Sequence, residues 1–150
     1  MLTEELKAQA RRVPEELLTQ GDLSVADQVL DPDCNHHALA SLTPGAEGIK
    51  QWAAALRRAF PDLRAIVEDE IAEGDTVVQR ITCSGTHRGE YLGVPPTGKR
   101  ATWQLVAIHR LGQGGKFAEH WSSADLFGLL HQLGGASASG DTNVAAKRKA

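Results

Sequence analysis

Apolar residues recur at helical spacing over the first third of the chain and at alternate positions after it. In "TEELKAQARRVPEELLTQG", Leu6, Ala10, Val13 and Leu17 mark one helix face. Thr3, Glu4 and Glu5 suit the N-terminus of that helix, and Gly21 ends it. Pro14 has no amide hydrogen and is expected to kink or restart the helix. "DLSVADQVL" predicts a shorter helix stopped by Asp31-Pro32, and "CNHHA" a short extended stretch. "TPGAEGIKQWAAALRRAFPDL" predicts a third helix, with Ile49, Trp52, Ala53, Leu56 and Phe60 as its apolar stripe and Pro61 as its stop.

After Pro61 the period becomes two. "LRAIVEDEIAEGDTVVQRITCSGTHRG" predicts two strands around a Gly74-Asp75 turn. "YLGVPPTGKR" is a loop, "ATWQLVAIHRL" and "KFAEHWSSAD" a second strand pair around "GQGG", and "LFGLLHQLGG" a closing helix. Strict alternation along "KFAEHWSSAD" places Phe117, Glu119, Trp121, Ser123 and Asp125 on one face and Lys116, Ala118, His120, Ser122 and Ala124 on the other. His120 is then expected to be exposed. Helices followed by antiparallel strands predict an α+β fold, with the helices on one face of a strongly curved sheet that can enclose a pocket. One domain over 1–134 is expected, with 135–150, poor in large apolar residues, as a flexible tail.

Composition narrows the function. A hydrophobic share of 41% and a charged share of 23% over 150 residues are those of an ordinary globular chain. The net charge of −3 implies no general attraction to nucleic acid or an anionic membrane. The N-terminus lacks the apolar core of a secretory signal, and no run of about 18 apolar residues exists, so a cytoplasmic protein is expected. Cys34 and Cys83 form no close pair and read as free buried thiols. Six histidines invite a metal reading, yet there is no His-x-His or His-Glu-x-x-His spacing, and neither metal nor cofactor is expected. "GQGGK" lacks the context of a phosphate loop, and Cys83 sits in no nucleophile signature.

Several motifs occur in one order: Gly-Thr-His-x-Gly at Gly85 to Gly89, Pro-Pro-Thr-Gly-Lys at Pro95 to Lys99, Gly-Lys-x-x-Glu-x-Trp-x-x-x-Asp at Gly115 to Asp125, and Gln-Leu-Gly at Gln132 to Gly134. Together they resemble the SnoaL-like polyketide cyclase (ester cyclase) family, of the nuclear transport factor two-like and ketosteroid isomerase-like fold group. The resemblance implies a cone-shaped α+β barrel: three N-terminal helices packed on a strongly curved, mainly antiparallel sheet around an apolar cavity, with a short C-terminal helix. It also implies a cofactor-independent acid/base enzyme that closes a ring in a hydrophobic carbonyl substrate by an intramolecular aldol reaction, and a homodimer. An epoxide hydrolase or dehydratase/isomerase on the same scaffold, or a non-catalytic binding module, are the alternatives.

Read from its own residues, Asp125 is an N-cap for the closing helix. By resemblance it is the family's acid/base aspartate, its pKa raised in an apolar pocket. His109 shares a strand face with Trp103, Leu105 and Ala107, as a hydrogen-bonded core residue or, by resemblance, as a group orienting the acid or donating to an enolate oxygen. By resemblance His37 is the histidine that follows the second helix and faces the cavity, while His36 points away. Glu119 reads as structural, paired with Arg80 or Arg100. Trp52, Phe60, Trp103 and Trp121 are core or pocket aromatics, with His87 and Tyr91 at the rim.

Overall fold

The computed structural model describes residues 2–37 and 43–134, so the tail expected over 135–150 lies outside the described residues. Helix α1 spans Thr3–Arg12 and runs into a π-helical segment, Val13–Thr19. Pro14 therefore widens the helix and does not end it. Thr19 Oγ1 also donates to the Pro14 carbonyl at 2.8 Å, tying the end of the segment to its start. Helix α2 (Ser24–Val29) leads directly into strand β1 (Leu30–His36), and α3 covers Ala46–Ala59.

Four long strands follow in two hairpins: β2 (Arg64–Glu73) with β3 (Thr76–Thr86), and β4 (Arg100–Leu111) with β5 (Phe117–Ala124). Glu73 pairs with Thr76 across Gly74-Asp75, where Gly74 adopts φ +61°, a conformation glycine enters at no steric cost. The strand order is β1-β5-β4-β3-β2; β1 runs parallel to β5 and the other neighbours are antiparallel.

The α+β class, the three N-terminal helices and the mainly antiparallel pairing agree with expectation, but the cone-shaped barrel does not form. The sheet is a single open one, neither closed nor strongly curved, with β1 and β2 as its two edges. Five strands at about 4.8 Å spacing hold those edges roughly 19 Å apart, too far to pair. Helices cover the inner face instead. Alternate residues of β3 and β4, Val77 to Cys83 and Ala101 to His109, are buried beneath them, together with Ile49, Ala53 and Leu56 of α3.

The strand expected from "KFAEHWSSAD" is present with a changed phase. Leu111 pairs with Phe117 but Arg110 pairs with Glu119, so Ala118 is an extra residue in β5. A one-residue bulge exchanges the faces of everything beyond it. Phe117, His120 and Ser122 are buried, while Glu119 and Trp121 are half-buried and Ser123 is exposed. The expectation of an exposed His120 is thereby corrected.

Helix α4 (Leu126–Gln132) folds back over the start of β4, which has lost β5 as a neighbour there. Gln132 replaces the missing strand: Oε1 accepts from the Thr102 amide at 2.9 Å and Nε2 donates to its carbonyl at 2.7 Å. Cys34 and Cys83 are free and buried. No helix among the described residues is long and apolar enough to cross a membrane.

Candidate active site

Where α3 crosses β3, β4 and β5, the facing positions are small: Ala55 above, and Cys83, Ser122 and Ala124 below. Side chains of that size cannot fill the space between a helix and a sheet. They leave an outer cavity of about 600 Å³, walled by Trp52, Leu56, Tyr91, Trp103 and Leu105 among others. That is the size and character of a small-molecule site. Trp52, Leu105 and Ser122 also line an inner cavity of about 20 Å³, whose wall includes Gln79, His109 and His120. The inner space holds one water-sized group.

Three buried histidines meet on the β1–β5–β4 side of this inner space. His109 and His120 are directly paired across the β4–β5 ladder, and their rings stack at 4.9 Å and 16°. His120 Nδ1 lies 3.1 Å from His36 Nδ1, and His36 Nε2 lies 2.8 Å from the Gly45 carbonyl oxygen. A carbonyl only accepts, so His36 carries its hydrogen on Nε2 and presents a lone pair at Nδ1. His120 must then donate from Nδ1, which leaves its Nε2 as the basic nitrogen. His109 has no hydrogen-bond partner at either ring nitrogen and is 2% exposed.

Burial, reinforced by the field of His36, pushes the His109 pKa down from 6.5 to about 4. Burial first, and then the neighbouring histidines, hold His120 well below its ordinary value. Both rings are therefore neutral at neutral pH. Among the described residues no group of three or more His, Cys, Asp or Glu is arranged to hold a metal ion.

The structure does not gather the residues expected to act together. Asp125 is exposed and caps α4, its Oδ1 accepting from the Gly128 amide at 2.9 Å. Its own amide bonds to the Gln104 carbonyl, five residues along β4 from His109, roughly 16 Å of strand. His36 and His37 are consecutive on an extended chain and point to opposite sides, and the inward one is His36. On the outer face His37 stacks on Trp121 at 4.4 Å and contacts Glu119 Oε2 at 2.9 Å. Glu119 also accepts from Arg110 at 2.9 Å, in place of Arg80 or Arg100, and its carboxyl is held below its ordinary value by His37 and then Arg110.

Of the aromatic set, Trp52, Tyr91 and Trp103 line the outer cavity. Phe60 supports that wall from behind, 4.9 Å from Trp103 and 5.7 Å from Tyr91. His87 packs on Phe60 at 5.5 Å, and its Nδ1 accepts from the Thr97 amide at 3.2 Å, tying down the Pro95–Lys99 loop. Of the inward polar residues, the sequence turns His36 and His120 outward and assigns no role to Gln79 and Ser122. A signal existed for Gln79, a polar residue in phase with Val77, Ile81 and Cys83 on an otherwise apolar strand face.

Comparison with known proteins agrees with this architecture. The chain is 29% identical over 111 residues to nogalonic acid methyl ester cyclase of Streptomyces nogalater, covering 72% of this chain and 82% of that one. It is 30% identical over 128 residues to aklanonic acid methyl ester cyclase DauD of Streptomyces sp. (strain C5), covering 83% and 78%. The structure of TsrD from Streptomyces laurentii superposes with a TM-score of 0.83 at 30% identity, over 90% of this chain and 98% of that one. The family model for SnoaL-like polyketide cyclases matches residues 8–133, nearly all of the described fold, and the chain belongs to that family.

Proposed function

We propose that this protein is an acid/base enzyme that closes a ring in a hydrophobic, carbonyl-bearing molecule by an intramolecular aldol reaction, with His120 as the proton carrier. The observation that carries the reading is the directed chain from the Gly45 carbonyl through His36 to His120, beside an apolar cavity. A base oriented by a second group, itself anchored by a third, is the arrangement that proton transfer needs.

In this reading His120 Nε2 takes the proton from the carbon next to a substrate carbonyl, and Nδ1–H···Nδ1 of His36 holds the resulting imidazolium in place. The enolate carbon forms the new C–C bond to a second carbonyl of the same molecule, whose π electrons become an alkoxide. His120 Nε2–H then returns the proton to that oxygen, so no cofactor is consumed. His109 stacks on His120 and stays neutral beside it, so it adds no competing acid. A weak base suffices where conjugation makes the carbon acid acidic. Asp125 serves α4 as its cap.

The names of the curated relatives supply the test substrates, nogalonic acid and aklanonic acid methyl esters. Ring closure is followed by chromatography with wild type and with His120→Gln. Turnover by the wild type and a loss of about 100-fold or more in the variant are expected. Unchanged turnover in His120→Gln, or none by wild type on either ester, overturns the proposal.

A further inference from the structure

We propose that Gln79 is a specificity-determining residue that reads one hydroxyl group, phenolic or enolic, at the inner end of the bound molecule. The inference rests on the two cavities being the substrate site. It does not depend on which group moves the proton.

The orientation of the Gln79 amide is fixed from behind. Gln79 Nε2 donates to Glu70 Oε2 at 2.7 Å, while Glu70 Oε1 accepts from Arg11 Nη1 at 2.6 Å. The Glu70 side chain is only 8% exposed and is ion-paired with Arg11. An ionised carboxylate accepts and never donates, so turning the amide round would set oxygen against oxygen. Gln79 is fully buried, and its Oε1, which has no partner, is left on the side away from Glu70.

Gln79 lines the inner cavity, and so does His109 with its two unpartnered nitrogens. The space of about 20 Å³ admits one water-sized group and no more. A hydroxyl satisfies both residues, donating to Gln79 Oε1 and accepting from the His109 N–H. A methyl group of similar size leaves a buried acceptor stripped of water and unpaired. A carbonyl oxygen brings its lone pairs against Oε1. The inner cavity therefore selects hydroxylated over alkylated or oxo-substituted ends of an otherwise flat apolar ligand.

The probes are 2-naphthol and its near-isostere 2-methylnaphthalene, with binding read from quenching of the Trp52 and Trp103 fluorescence. The more hydrophobic methyl compound would win in a cavity blind to the substituent. Wild type is expected to prefer 2-naphthol by about tenfold. Gln79→Leu, or Gln79→Met should the leucine variant fold poorly, is expected to lose or invert that preference while still binding 2-methylnaphthalene. Glu70→Gln, which frees the amide to turn, is expected to fall between. Equal binding of the two probes by wild type, an unchanged preference in both Gln79 variants, or no binding of either probe up to its solubility overturns the assignment. Failure of the methyl esters to cyclise, with the naphthol preference intact, counts against the aldol reading and leaves this one standing.

Discussion

His36 and His120 face each other through like nitrogens, Nδ1 to Nδ1 at 3.1 Å, and one hydrogen has to serve both. The Gly45 carbonyl decides which ring supplies it, because it claims the hydrogen on His36 Nε2. Nitrogen-15 NMR of the free enzyme at pH 7.5 is expected to show His36 as the Nε2–H tautomer and His120 as Nδ1–H. The opposite assignment for His120 would remove its basic Nε2 and with it the proposed proton carrier.

The two adjacent histidines separate that role from mere proximity. His36→Phe keeps an aromatic of similar bulk but frees His120 to change tautomer, and kcat is expected to fall by about 10- to 100-fold with little change in KM. His37 lies on the outer face against Trp121 and Glu119, so His37→Phe is expected to leave kcat within about twofold, measured on the same substrate. Equal losses in the two variants would mean that neither acts through the cavity.

For Asp125, capping and chemistry make opposite predictions. Asn caps a helix about as well as Asp, so Asp125→Asn is expected to keep both the melting temperature and kcat. Asp125→Ala removes the acceptor for the Gly128 amide and is expected to cost about 1 kcal/mol in urea unfolding. Collapse of kcat in the asparagine variant, with its stability intact, would return the acid/base role to this carboxylate.

The contrast between helix α3 and strand β5 explains what the sequence made legible. In α3 the stripe of Ile49, Ala53 and Leu56 points where its period says, because a helix without Pro or an insertion keeps its phase. In β5 the alternation holds as well, but Ala118 bulges out and reverses every face beyond it. Nothing local marks Ala118, since a bulge is settled by how β5 meets β4. The proposed proton carrier, His120, was hidden by that single residue. Its partner His36 was hidden by the even choice between two adjacent histidines, which the parallel pairing of β1 on β5 decides. Barrel closure was equally out of reach, because whether β1 meets β2 depends on the whole sheet and not on any segment of it.

If the outer cavity is the substrate site, occupying it should block binding without harming the fold. Ala55 contributes to its wall from α3, where added bulk projects into about 600 Å³ of open space and not into packed core. Ala55→Phe is expected to raise KM by about tenfold or more, with a melting temperature within about 3 °C of wild type. An unchanged KM would place the substrate elsewhere.

Buried neutral histidines give stability a particular dependence on acid. His109 titrates near 6.5 when unfolded but at about 4 in the fold, because burial penalises its charged form. Between those values the unfolded chain binds more protons than the native one, so stability falls as pH falls. The contribution is fully present above pH 6.5 and lost as pH drops through the folded value of about 4. A gap of that size corresponds to about 3 kcal/mol, most of it gone by about pH 4.5. Wild type and His109→Leu are compared by urea unfolding in steps from about pH 7.5 to 4.5. Carboxylates titrate in both, so the difference between the two proteins isolates the histidine. The leucine variant, which has nothing to protonate at this position, is expected to lose about 2 to 3 kcal/mol less over that range. Parallel stability curves would mean that His109 accepts a proton in the folded state as easily as in water, and that its surroundings are not the dry, apolar wall the proposed chemistry requires.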